Sequence, residues 1–251
     1  MSLVRVEARE GIALVALDRP PANAFVPELV EELRQALVGS SEARAVLLSS
    51  ALPNLFSAGW DLPTIVHFDR GQMSRFVDSY SDLVREVFAF GAPVLAALAG
   101  HAIAGGLILA AAADERYAAE GNAKFGLSEV ALGVPVPACL LEVFRYAIGA
   151  RATERLAASG ENCSAQGALA IGLADRALEA QELPARAWER VRFLAERPAK
   201  AHAAIKRRIR AEALDRFDQA RRADPFLDSW FGSDAQERIG ALVAKLKKSD
   251  K

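Results

Sequence analysis

Apolar positions along the chain first alternate, as in strands, and then fall at helical intervals, and this exchange repeats until about Leu183. Leu3–Glu7 and Ile12–Leu17 are rich in β-branched and alternating residues, so they predict two strands joined by the turn-like AREG. In NAFVPELVEELRQALVGS, Leu29, Leu33, Ala36 and Leu37 keep helical spacing. Pro27 suits the first turn of that helix and Gly39 ends it. RAVLLSS reads as a short apolar strand buried on both faces. A polar loop leads to a second helix, expected from about Met73 to Phe90, and Pro93 then opens the buried strand PVLAALAG. After Gly105 the order returns as a helix, the strand ERYAAE and an extended piece around Ala123–Phe125. Strands alternating with helices predict an α/β fold.

From about Leu183 only helices are expected, in LPARAWERVRFLAERP, AKAHAAIKRRIRAEAL, DRFDQARRADPFLDSWF and SDAQERIGALVAKLKK. Composition shifts near Pro198, which divides the chain into a core of residues 1–197 and a helical region of residues 198–251. Phe226, Leu227, Trp230 and Phe231 lie close together there. They are expected to bury an apolar face, against another subunit or back on their own domain.

Composition narrows the classes of function. Of 251 residues, 52% are hydrophobic and 25% charged, as in ordinary folded proteins. Thirty-one basic side chains meet thirty-two acidic ones, so no overall field favours nucleic acid or an anionic membrane. Cys139 and Cys163 form no CxxC pair and read as small buried hydrophobes. The first twenty residues have the pattern of neither a signal nor a transit peptide, and the run Ala102–Ala113 is too short to span a bilayer. A cytoplasmic setting is expected.

Three stretches place small residues beside strand ends: FSAGWDL (56–62), AGHAIAGGLIL (99–109) and FGLSEVALG (125–133). Two glycine loops after buried strands can aim two amides at one oxygen, which is what an oxyanion hole requires. The helix opened by Gly105–Gly106 adds a dipole of the same sense. On pattern alone, a tight turn with close helix packing is the commoner meaning of such loops. Glu129 is flanked by Val130, Ala131 and Leu132, and desolvation there would raise its pKa toward that of a group that takes and returns a proton. Read alone, a strand-end carboxylate pointing into water is the better reading.

Together, and in this order, the three stretches resemble the crotonase, or enoyl-CoA hydratase/isomerase, superfamily. LDRPPANAF, with Asn23, resembles its early strand-turn, and SAQGALAIGLADRAL its helix-turn-strand after residue 160. The resemblance implies a spiral of ββα units with a C-terminal helical region used in trimerisation, as a homotrimer or a dimer of trimers. It implies an acyl-CoA thioester as substrate, with coenzyme A part of that substrate and no separate cofactor or metal. The amides of Trp60 and Gly105 would form the oxyanion hole, and Glu129 would be the catalytic carboxylate. Ala58, Asp61, Gly106 and Ile108 would line the substrate.

Hydratases of this superfamily use two glutamates, and the first of those positions is Ile108 here. Adding water needs a positioned water and a proton donor, whereas one base can move a proton from C2 to C4. GVPVPACLLEVF also replaces the glycine-rich turn usual in hydratases. Both departures resemble the Δ3,Δ2-enoyl-CoA isomerase branch. The alternatives are a hydratase or other thioester reaction, and a CoA-binding protein without catalysis. Asp114, Glu115 and Glu142 are weaker candidates for a second acid, with solvated positions the simpler expectation. His101 reads as a packed or capping residue, and His67 and His202 lack partners at metal-ligand spacing. KRRIR (206–210) reads as an amphipathic helix with Ile205 and Ile209 on one face and its charges solvated; it, Lys245, Lys247 and Lys248 are candidates for the CoA 3′-phosphate.

Overall fold

The computed structural model describes residues 2–249. The chain opens on a hairpin of β1 (Val4–Arg9) and β2 (Ile12–Leu17), paired antiparallel with Arg9 opposite Ile12. Its turn is the two residues Glu10 and Gly11, both at positive φ, so β1 runs two residues past the expected end. Then follow α1 (Pro27–Gly39), β3 (Ala45–Ser50), β4 (Leu55–Ser57), the single turn α2 (Leu62–Ile65) and α3 (Arg70–Ala89). Helix α3 starts before Met73 because Asp69 and Gln72 form a reciprocal capping box, a signal that Gly71 obscures in the sequence. Next come β5 (Val94–Leu98), β6 (His101–Ile103), α4 (Gly105–Ala111), β7 (Glu115–Ala119) and β8 (Phe125–Gly126). A one-turn 3-10 helix spans Glu129–Leu132, so Glu129 opens a helical turn rather than ending a strand. The rest is α5 (Ala138–Ser159), α6 (Ala165–Ala170), β9 (Arg176–Leu178), α7 (Leu183–Ala195), α8 (Ala199–Arg222), α9 (Phe226–Trp230) and α10 (Ser233–Ser249). The stretch expected as one helix over 215–231 is thus divided: its first part continues α8 to Arg222, and its second forms α9 after Pro225.

Two sheets organise these elements. The larger has the order β1-β2-β3-β5-β7-β9, parallel apart from the opening hairpin, and the smaller is the parallel set β4-β6-β8. Each turn of chain gives one strand to the large sheet and the next to the small one: β3 then β4, β5 then β6, β7 then β8. That is a spiral of ββα units. Alternation along the large strands sends Val46, Val94 and Ala96 into the main core, with α1 and α3. The opposite face carries Ala45, Leu95 and Ala97 to the apolar side of α7, at Leu183, Ala187 and Val191. No helix among the described residues is long and apolar enough to cross a membrane.

The late helices fold back on their own chain. Phe217, Phe226, Trp230 and Ile239 join the main core, and Leu227 and Phe231 pack against it. Helix α8 reverses the expected amphipathic reading. Ile205 and Ile209 are 57% and 61% exposed, while Lys206 and Arg210 are buried. The cause is Asp114, just before β7, whose carboxylate meets Lys206 Nζ at 2.7 Å and the Arg210 guanidinium at 2.9 Å. Asp114 also accepts the Val94 amide.

Candidate active site

The small sheet explains how three separated stretches meet. Strands β4, β6 and β8 are parallel neighbours, so their C-terminal ends lie side by side. Trp60, Gly105 and Glu129 each follow one of those ends within two or three residues. They line one cavity of about 610 Å³, together with Ala58, Asp61 and Ile108. Gly106 is absent from that wall. It lets α4 lie against β4, since a Cβ there would come within 2.4 Å of the Ser57 carbonyl oxygen.

The geometry around the two amides is built from below. Asn23 is fully buried and donates from Nδ2 to the Phe56 carbonyl and to Ser50 Oγ. Its own carbonyl accepts from Ser57 Oγ, and Ser57 Oγ in turn accepts the Gly59 amide at 3.1 Å. Phe25 then pairs with Trp60 in a parallel bridge that uses the Gly59 carbonyl and the Asp61 amide. In such a bridge the N–H of the middle residue, Trp60, points away from Phe25. Gly105 is the first residue of α4, so its N–H has no partner within the helix. Neither amide donates to another described backbone group.

Gly59, at φ 92°, brings the two peptide segments together. A side chain there would press to 3.0 Å from the Ile103 carbonyl and 3.1 Å from the Gly105 nitrogen. Ala104, a non-glycine residue at φ 49°, turns the chain into α4 at a backbone strain of about 1–3 kcal/mol.

Glu129 is half-buried as a residue, but its Oε2 is shielded and has no hydrogen-bond partner. Desolvation raises its pKa to about 7, with a backbone hydrogen bond acting weakly the other way. Its sequence neighbour Val130 is exposed, so the dry surroundings come from elsewhere in the fold. Tyr80 on α3 is close enough to feel its charge. Its hydroxyl donates to the Gly105 carbonyl, and its pKa is raised well above normal by burial and then by the Glu129 charge. Tyr80 was hidden in the sequence because it keeps the apolar spacing of α3, as Phe76 and Leu83 do.

Asp61, the other carboxylate on the wall, is committed: it bonds the Arg19 guanidinium at 2.7 Å and caps α2 through the Thr64 amide. Ile108, 1% exposed, contributes only methyl and methylene groups. The weaker acids lie off the wall. Asp114 holds Lys206 and Arg210, Glu115 holds Arg190, and Glu142, expected in solvent, is buried and paired with Arg216 and Arg145. His101 accepts the Lys124 amide through Nδ1. No cluster of three or more His, Cys, Asp or Glu able to hold a metal occurs among the described residues. Lys206 and Arg210 are occupied by Asp114, and Lys245 and Lys247 flank Leu246 on α10, which lines the cavity. The Lys248 side chain lies outside the described residues.

Sequence reasoning also missed the wall supplied by the late helices: Phe226 and Trp230 from α9, and Leu242 and Leu246 from α10. A second cavity, of about 690 Å³, lies between β7, β9 and α7, and of the candidate residues Glu115 alone lines it. Its charges are turned on one another, Arg190 to Glu115 at 2.9 Å and Arg186 to Glu189 at 3.2 Å.

Known proteins resemble this chain in sequence and in fold. The bovine mitochondrial enoyl-CoA hydratase domain-containing protein 2 is 33% identical over 212 residues, covering 82% of this chain and 71% of its own. Rat mitochondrial enoyl-CoA delta isomerase 1 is 28% identical over 253 aligned positions, covering 98% and 87%. The crystal structure of human mitochondrial Δ3-Δ2-enoyl-CoA isomerase superposes with a TM-score of 0.94 at 25% identity, covering 100% of both chains. The family model described as enoyl-CoA hydratase/isomerase matches residues 7–248. With paired glycine loops, a dry carboxylate and a spiral of ββα units all in place, the chain belongs to the enoyl-CoA hydratase/isomerase family.

Proposed function

We propose that the protein is a Δ3,Δ2-enoyl-CoA isomerase with Glu129 as its only base. The observation that carries this reading is the acid content of the cavity wall. Asp61 is tied to Arg19, Ile108 stands where hydratases of the superfamily place their first glutamate, and Glu129 alone is unpaired. In this mechanism the Glu129 carboxylate removes a proton from C2 of a 3-enoyl thioester. The C2–H electron pair moves into the conjugated system, and the thioester oxygen carries the negative charge. The amides of Trp60 and Gly105 hold that oxygen. Glu129 then returns the proton to C4, the double bond settles between C2 and C3, and the charge on the oxygen is withdrawn. The sequence is neutral in electrons and protons, so it calls for no redox cofactor and no metal. A pKa near 7 suits a group that must accept and release the same proton. A cytoplasmic enzyme that assembles as a homotrimer or a dimer of trimers belongs to the same proposal.

The test supplies purified protein with 3-hexenoyl-CoA in one cuvette and crotonyl-CoA in another. The proposal expects conjugated 2-enoyl thioester to appear in the first and little hydration in the second. Rapid hydration of crotonyl-CoA would overturn the single-base reading.

A further inference from the structure

Coenzyme A is too large and polar to enter the interior, so its thioester arm must come in through the open side of the cavity. The exposed residues of its wall, Pro21, Ala58, Ala131 and the 41%-exposed Leu246, mark that side. The acyl carbons beyond C4 are left with the inner end, and aromatic rings close it. Trp60 stands at its centre. Its indole meets Phe76 and Tyr80 of α3 edge-on, with ring centroids 5.1 and 5.5 Å away, and Phe226 and Trp230 of α9 at 5.8 and 6.5 Å. A ring held by four such neighbours does not swing aside without breaking those contacts. On its other edge the indole rests on the oxyanion residue itself: a Cβ on Gly105 would lie 2.9 Å from Trp60 Cδ1 and 3.1 Å from Nε1. The indole nitrogens of Trp60 and Trp230 are both buried and unpartnered, so no water reaches between the rings at those points. The wall is sealed.

We infer that the Trp60 ring sets acyl-chain length, ending the acyl site and restricting the substrate to short-chain enoyl thioesters. The inference rests on the acyl-CoA reading above. It gives one residue two separable tasks, since the backbone amide faces the thioester oxygen and the side chain faces the end of the chain. Replacing the ring therefore changes the second task while every residue keeps its amide.

The experiment compares 3-hexenoyl-CoA with 3-dodecenoyl-CoA for the wild type and for Trp60→Leu. In parallel, calorimetry measures binding of the unreactive saturated pair, hexanoyl-CoA and dodecanoyl-CoA. The wild type is expected to favour the short thioester by about tenfold or more in kcat/KM, with the same order in binding. Trp60→Leu is expected to move the long-to-short ratio by about tenfold toward the long chain in both measurements. A wild type indifferent to length would overturn the inference, and that result stands even if the variant fails to fold. So would a variant that slows both substrates with the ratio unchanged. Absence of isomerisation alongside a length preference in binding would sink the isomerase reading and leave the length wall standing. Failure of both saturated thioesters to bind would remove both.

Discussion

Glu129 has one carboxylate oxygen sealed from water and from every hydrogen-bond donor, and this fixes both its reactivity and its cost to the fold. Its pKa near 7 means that kcat/KM for isomerisation climbs about tenfold per unit as pH rises toward 7 and then levels, a profile that stopped-flow assays read directly. Glu129→Gln is expected to lower kcat by about a thousandfold, because an amide cannot take the C2 proton. Stability moves the opposite way. Between the ordinary value of 4.5 and about 7, the folded chain holds this proton and the unfolded chain has released it. Native stability therefore falls as pH rises through that window, by up to about 3 kcal/mol once above it. Glu129→Gln lacks this loss. Urea unfolding should find the variant no more stable than wild type near pH 4.5 and more stable at pH 8, whereas an equal difference at both pH values would disprove the assigned pKa. A dry carboxylate at Glu129 was legible from its neighbours but for the wrong reason: Val130 is exposed, and the groups that shield the carboxylate come from elsewhere in the fold.

Among the elements, the small sheet was legible only as three strand ends rich in small residues. Strands of two or three residues carry almost no periodicity, and their pairing depends on the spiral that stacks them. What the glycines do there can be tested at Gly59. Gly59→Ala drives a methyl between the Ile103 carbonyl and the Gly105 nitrogen at a backbone angle that alanine rarely adopts. The two amides should be forced apart, lowering kcat about a hundredfold while circular dichroism stays native. Unchanged kcat with native structure would show that their spacing is unimportant. Helix α8 marks the limit of reading from pattern. Its charged residues at 206 and 210 point inward because Asp114, nearly a hundred positions earlier in the chain, waits there as counter-charge, and no local spacing encodes that pairing. Asp114→Asn leaves an ammonium and a guanidinium buried together without their anion. It should destabilise the chain by about 3–5 kcal/mol in denaturant titrations, against little change for a lysine on the exposed face. A loss below about 1 kcal/mol would mean that water reaches the cluster after all.

At the scale of the whole molecule, the helices after Pro198 complete both the core and the cavity. Composition does change at Pro198, and the shift to helices is real. Yet Phe217, Phe226, Trp230 and Ile239 share one apolar cluster with residues of the spiral such as Leu107, Phe125 and Phe144. Arg210 donates to the carbonyls of Phe88 and Ala112, which ties α8 to the ends of α3 and α4 by polar bonds as well. A boundary in composition is therefore not a boundary in cooperativity. The chain should unfold in a single transition, with tryptophan fluorescence, to which Trp60 and Trp230 at the interface of the two regions contribute beside Trp188 on α7, coinciding with the far-ultraviolet signal of the helices. A chain cut after Pro198 uncovers the apolar surface beneath α8 and α9 and removes one wall of the cavity. It should lose that cooperative transition, expose surface that binds apolar dyes, and fail to bind acyl-CoA even though Glu129, Trp60 and Gly105 are all retained. Two resolved transitions in the full chain, or a cut chain that melts sharply and binds acyl-CoA, would show instead that the spiral is self-sufficient.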